Sequence, residues 1–296
     1  MPMNGVVDFH VHSSNSSDGD FSPAELVRMA VQTGFRAMSI ADHDTEAAYP
    51  EAVDCGRRAG LEVIPGVELT TLFDGREFHL LLPFVDYRSA AVADILDRVG
   101  RIRLAEARER VDKLRAADLP ISWDEVQEKF GGNLPLGVSI ASLLLSKEEA
   151  RTVDRLAVYL EDKNRDSAPY MFYRDFFMEG GPAFVPKRHI DLLEVMALAP
   201  STGGAPVLSH PGAYFQQTTR QDLAVLAEAG LRGLEVFTSY HDPEQTAHYL
   251  GLAEELGLVP TAGSDFHGKI KPHIPFGAIR AGQYWMVERL RNGRGA

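Results

Sequence analysis

Residues 6–44 read VVDFHVHSSNSSDGDFSPAELVRMAVQTGFRAMSIADHD, and their rhythm decides the fold. Val6 to Val11 reads as a strand. Ser22-Pro23-Ala24-Glu25 is a helix start, with Ser22 as N-cap, Pro23 at the first helical position and Glu25 closing a capping box. Gly34 stops that helix, and Ala37 to Ala41 reads as the next strand. A helical pattern from about Glu46 to Ala59, stopped by Gly60, leads to a third strand over Leu61 to Ile64. A β-α-β-α-β order implies a parallel sheet with crossover helices.

Further along, Val67 to Phe73 and Glu77 to Val85 flank Asp74-Gly75, a two-residue hairpin signal. From Ser89 to about Leu119 the pattern is helical, and helices and loops continue to about Pro186 with no clear strand. The alternation resumes with strands at Pro206 to Ser209, Gly233 to Phe237 and Leu258 to Ala262. Helices at Gln221 to Ala229 and His241 to Leu256 separate them, and the tail from Arg289 to Ala296 reads as frayed. The expectation is therefore an α/β barrel from residues 1–87 and 200–296, with 88–199 as an inserted helical lid.

The chain has 296 residues, 45% of them hydrophobic and 24% charged, as in an ordinary globular protein. No apolar run approaches the roughly 20 residues that span a bilayer, and the first residues lack a signal-like pattern. A cytoplasmic location is the default expectation, with no membrane partner. A net charge of −12 argues against a long duplex as partner, because such proteins carry a basic face. A small anionic ligand stays open, since bound cations can supply positive charge. The single cysteine, Cys55, reads as a small helix residue.

Chemistry concentrates where strands end, as it does in parallel α/β folds. In Asp8-Phe9-His10-Val11-His12 the two histidines share one face of a strand and can hold one cation. Asp18 lies in the turn that follows; Asp20 reads as turn chemistry. Asp42-His43-Asp44-Thr45 follows the second strand. Asp44 or Thr45 suits a helix N-cap, and capping leaves His43 unexplained. In the hairpin, Glu68 opposite Leu81 puts His79 diagonally across on the same face. His210 ends another strand, and Asp265 and His267 follow the last one. His189, His241, His248 and His273 lack such a setting.

Taken together, Asp-Phe-His-Val-His, Ser-Asp-Gly, Ile-Ala-Asp-His-Asp-Thr, Pro-Gly-Val-Glu, Glu-Phe-His, Leu-Ser-His-Pro and Gly-Ser-Asp-Phe-His resemble the PHP (polymerase and histidinol phosphatase) family, in the family's order. They are most similar to its branch of nucleoside 3′,5′-bisphosphate phosphatases and 5′-to-3′ exoribonucleases. The resemblance implies a distorted (β/α)7 barrel holding two or three divalent ions, for which this N/O donor set suits Mn, Fe or Zn. It implies His10, His12, Glu68 and Asp265 around a first ion, and Glu68, His79 and His210 around a second. Asp18, His43 and His267 would hold a third. Asp265 and His210 would pass the proton. The implied activity is hydrolysis of a phosphomonoester, that of a nucleotide or a short oligoribonucleotide, with a histidinol-phosphate-type phosphatase or a non-enzymatic metal-binding module as alternatives. Relatives usually carry an Arg-Pro-His-Ile-Ala-like element; here Leu136-Gly137-Val138-Ser139-Ile140-Ala141 stands in its place. Lys187 and Arg188 could bind phosphate or simply begin a solvated helix. Tyr170, Phe172, Tyr173, Phe176 and Phe177 could stack a base or form the core of the helical insert. An amidohydrolase acting on C–N bonds often uses a carboxylated lysine, and no strand-end motif contains one.

Overall fold

The computed structural model describes residues 5–131, 134–186 and 188–293. Strand β1 (Val6–Val11) runs parallel to β2 (Phe35–Ile40), which runs parallel to the short β3 (Glu62–Val63). Between β1 and β2, helix α1 (Pro23–Thr33) starts on the expected capping box. The Ser22 hydroxyl accepts from Glu25 N at 3.3 Å, and the Glu25 carboxylate accepts from Ser22 N at 2.8 Å. Gly34, at φ 80°, ends it. Helix α2 (Tyr49–Ala59) starts later than the pattern suggests. Asp44 takes φ 55° and turns the chain, and its carboxylate accepts from Thr70 N at 3.3 Å instead of capping a helix.

The hairpin is as read. Strands β4 (Glu68–Phe73) and β5 (Arg76–Leu81) pair with Glu68 opposite Leu81. Asp74 and Gly75 both take positive φ, 49° and 70°, the conformation a two-residue turn of this hand needs. The second strand ends at Leu81, short of Val85, because Phe84 turns at φ 71°.

Helices α3 (Ala90–Ala116), α4 (Trp123–Phe130), α5 (Gly137–Ser146), α6 (Ala157–Leu160) and α7 (Ala168–Phe177) follow, and no strand interrupts them among the described residues. Then come β6 (Ile190–Asp191), α8 (Leu192–Thr202), β7 (Val207–Leu208), α9 (Arg220–Glu228), β8 (Gly233–Thr238), α10 (Pro243–Glu255), β9 (Val259–Gly263) and α11 (Tyr284–Asn292). Helix α11 corrects the frayed reading for Arg289 to Asn292, where Leu290 is buried in the core, while Arg294 to Ala296 lie outside the described residues.

The strands form two sheets, β1-β2-β3 and β6-β4-β5-β7-β8-β9. Two seams join them. Asp44 N donates to Glu68 O at 2.9 Å and Glu68 N to Asp42 O at 3.2 Å. On the other side His12 N donates to Phe266 O at 2.9 Å and Asp265 N to His10 O at 2.8 Å. The strand ring thus closes, distorted by β5, which is antiparallel to both neighbours.

The chain separates into two compact units, Met1–Val99 with His189–Ala296, and Gly100–Arg188. The boundaries differ from the 87/88 and 199/200 expected. Strand β6 pairs with β4, which keeps β6 in the sheet unit. The second unit has its own core, including Val111, Leu114, Ile140, Leu144, Phe172 and Phe177. Phe172 and Phe176 stack at 4.0 Å, and both are buried. That corrects the base-stacking option for Phe172, Phe176 and Phe177. Each such ring stabilises the fold by roughly 1.5–3 kcal/mol through burial.

Candidate metal centre

All nine strand-end residues meet in the first unit. Glu68, the first residue of β4, is fully buried. Its Oε2 lies 3.2 Å from His10 Nε2, 3.3 Å from His12 Nε2 and 3.1 Å from His43 Nδ1. Its Oε1 lies 3.1 Å from His79 Nδ1 and 3.2 Å from His210 Nε2. One carboxylate therefore faces five imidazoles from five strand-end positions. Strand alternation delivers His10 and His12 to one face, and the hairpin register delivers His79.

Asp265 Oδ1 completes one group, 3.3 Å from His10 Nε2 and 3.1 Å from His12 Nε2. A second group gathers at Asp18, whose Oδ2 lies 3.2 Å from His267 Nε2 and 3.7 Å from His43 Nε2. The donor atoms of His10, His12, Glu68 and Asp265 lie within 4.8 Å of one another, as do those of His12, Asp18, His43 and His267, and of His43, Glu68 and His79. His43 is thus shared, one ring nitrogen toward Glu68 and the other toward Asp18.

The protonation chemistry tests whether a cation fits. His267 Nδ1 lies 2.9 Å from the Asp265 carbonyl oxygen and can only donate to it. Its Nε2 in the neutral ring is then a lone pair, yet it faces a carboxylate oxygen and has no hydrogen-bond partner among the described residues. Two acceptors face each other there. Burial holds His43, His210 and His267 below the ordinary imidazole range, which leaves them neutral. Burial would also lower His12 and His79, but Asp265 and Glu68 for the first, and Glu68 and Glu77 for the second, hold them up at about 9. Burial alone would raise Glu68 and Asp265, but the imidazoles around Glu68, and Lys271 with His267 and His10 around Asp265, keep both carboxyls well below their usual range. The carboxylates around His10, His12 and His79 hold protons on those rings, and a divalent ion would take the place of those protons; the anionic carboxylates and the neutral His43, His210 and His267 beside them at 3.1–3.2 Å already suit ligand bonds of about 2.1 Å.

Several supporting residues escaped the sequence reading. Glu235 on β8 is fully buried and accepts from His10 Nδ1 at 3.0 Å and from His210 N at 2.8 Å. It fixes which His10 nitrogen points inward, the usual task of a carboxylate behind a ligating histidine. A lone acid inside Leu234-Glu235-Val236-Phe237 was the available signal. Asp8, raised to about 6 by burial against bonds from His10 and Ser264, ties β1 to the end of β9. Asp42, also raised to about 6 by burial, accepts from Ser13 N and Oγ at 2.6 Å each. Lys271 Nζ lies 2.5 Å from Asp265 Oδ2, a cation no motif announced. Asp265 and His210 both take positive φ, 54° and 25°. Non-glycine residues hold that conformation only where the surroundings impose it, often at functional sites.

Elsewhere, Lys187 lies outside the described residues. Arg188 pairs with Glu109 at 3.0 Å within the second unit. Asp20 accepts from Lys269 N, and His248 and His273 are exposed. His189 pairs with Glu77 at 3.1 Å. His241 is structural: it donates to Val236 O and accepts from Gly212 N. No helix among the described residues is long and apolar enough to cross a membrane.

A model of the PHP domain matches residues 8–127. The chain is 30% identical to the phosphoribosyl 1,2-cyclic phosphate 1,2-diphosphodiesterase of Eggerthella lenta, over 92% of this chain and 98% of that protein. It is 27% identical to a 5′-3′ exoribonuclease of Salmonella typhimurium, over 88% of this chain and 85% of that one. A crystal structure described as a metal-dependent phosphoesterase of Bifidobacterium adolescentis superposes with a TM-score of 0.83 at 27% identity, covering 100% of this chain and 98% of that one.

Proposed function

From the premise that this chain belongs to the PHP family, we propose that it is a metal-dependent phosphoesterase that hydrolyses a phosphomonoester of a ribonucleotide or short oligoribonucleotide. The observation that carries this reading is Glu68, a buried carboxylate faced by five histidine nitrogens at 3.1–3.3 Å. A structural role alone does not explain so many titratable groups packed around one fully buried carboxylate.

In this reading His10, His12, Glu68 and Asp265 hold one divalent ion, Glu68, His79 and His210 a second, and Asp18, His43 and His267 a third. Mn, Fe or Zn suits the mixed imidazole and carboxylate donors. Bound ions would lower the pKa of water and neutralise phosphate charge. The chain's own residues do the rest. Asp265 offers a proton acceptor beside His10 and His12, while His210, kept neutral by burial, turns its Nε2 lone pair to the Glu68 side and keeps a transferable proton on Nδ1. Glu235 keeps His10 and the His210 backbone in register.

A second reading has a specific observation behind it. The Eggerthella relative, which acts on a ribose cyclic phosphate, matches nearly end to end, and Leu136-Gly137-Val138 lacks the basic element expected of nucleotide phosphatases. Both readings place a ribose phosphate at the cluster. The test is hydrolysis by Mn²⁺-loaded protein, read by chromatography of all products, of adenosine 3′,5′-bisphosphate, a 5′-phosphorylated RNA, phosphoribosyl 1,2-cyclic phosphate and histidinol phosphate. Preference for either of the first two supports the proposal. Preference for the third moves it to the second reading, and preference for the fourth overturns both.

A further inference from the structure

Lys271 sits in the loop after β9 with only 15% of its side chain exposed. Its ammonium lies 2.5 Å from Asp265 Oδ2 and 3.0 Å from the Tyr240 hydroxyl oxygen. Tyr240 in turn donates to the same Asp265 oxygen at 2.7 Å, and its ring packs 5.0 Å from that of His210. Among the described residues no other lysine or arginine pairs with any of the nine cluster residues.

The two oxygens of Asp265 thus have different company. Oδ1 faces His10 and His12, where cations fit; Oδ2 faces an ammonium and a phenol. Cations bound on the Oδ1 side share the Asp265 charge and weaken its hold on the ammonium, since Coulomb attraction falls as the net charge of the carboxylate is compensated. Tyr240 keeps Oδ2 hydrogen-bonded when the ammonium turns away, so Asp265 stays in place. A lysine is a mobile point charge on a flexible stem and a common phosphate ligand.

We propose that Lys271 is the phosphate anchor of this site, turning from Asp265 to a non-reacting oxygen of the bound phosphoryl group, with Tyr240 as the positioning residue that holds Asp265 meanwhile. The inference rests on the phosphoesterase reading for its substrate but not for its test, because inorganic phosphate is the probe. Calorimetry should show phosphate binding to the Mn²⁺-loaded full chain weakened on the order of 10- to 100-fold in Lys271→Gln, as loss of a charge-assisted hydrogen bond implies, and partly restored in Lys271→Arg. Manganese content by mass spectrometry should equal that of the wild type in both variants. Tyr240→Phe should keep phosphate affinity within a few-fold but lower kcat rather than raise KM. Wild-type phosphate affinity in Lys271→Gln overturns the anchor, as does loss of manganese from it, which would make Lys271 a support for Asp265. Turnover by the wild type with an unaffected Lys271→Gln sinks the anchor and spares the hydrolase reading. Phosphate binding through Lys271 without turnover of any ester does the reverse.

Discussion

Single side chains at the cluster decide its chemistry. Asp265 offers Oδ1 to His10 and His12 from a strained backbone. Asp265→Asn keeps the shape and removes the charge and basicity, so kcat on a phosphomonoester should fall on the order of 10²- to 10⁴-fold, with an unchanged far-ultraviolet dichroism spectrum. Near-wild-type turnover would remove Asp265 from the chemistry. Gly263 is a second site, for packing reasons. A Cβ there would lie 1.9 Å from Glu235 Oε1 and 2.5 Å from His10 Cβ. Gly263→Ala should cost about 1–3 kcal/mol, the range for overpacking, and also lower metal content, because it displaces the carboxylate that orients His10. Urea unfolding and metal analysis check both; an unperturbed variant would mean β9 passes the pair with more room than 1.9 Å implies.

At the element scale, local chemistry was legible in the sequence and tertiary neighbours were not. The capping box of α1 and the Asp74-Gly75 turn depend on residues a few positions apart and stand as read, and His10, His12 and His79 lie on the faces that strand alternation and hairpin register give them. Helix α2 started later than its pattern because the chain spends Asp44 on Thr70 of the next hairpin, a partner 26 positions away. Glu235 and Lys271 gained their roles from strand order: β8 lies beside β9, and the end of β9 meets β1. No local spacing marks Lys271, and the one local sign of Glu235 is an acid inside an apolar strand. Tyr49 shows how α2 is fixed to the sheet. Its buried hydroxyl accepts from Gly66 N at 2.6 Å and lies against the Ile40 and Gly66 carbonyls. Tyr49→Phe strands those groups and should cost about 1–3 kcal/mol, read as a lowered unfolding midpoint. A loss below a few tenths would show that the Gly66 backbone finds other partners.

At the scale of the molecule, the nine cluster residues all belong to one of two compact units, although α3 begins in that unit and ends in the other. Metal binding should therefore stabilise the units unequally. Excess Mn²⁺ at about 100 times its dissociation constant adds roughly 2.7 kcal/mol to the state that binds it. Hydrogen exchange should show β1, β4 and the end of β9 more protected in Mn²⁺ than in a chelator, with α5 and α7 unchanged. Equal protection everywhere would mean that the units open together. The net charge of −12 fits this picture: the chain brings anionic ligands, and cations bring the positive charge a phosphate needs.

The most direct measurement is an anomalous difference map at the manganese edge from crystals grown with Mn²⁺. Peaks are expected on both sides of the Glu68 carboxylate, one among His10, His12 and Asp265 and one toward His79 and His210. A featureless map from protein that still hydrolyses its phosphoester at full rate would contradict it.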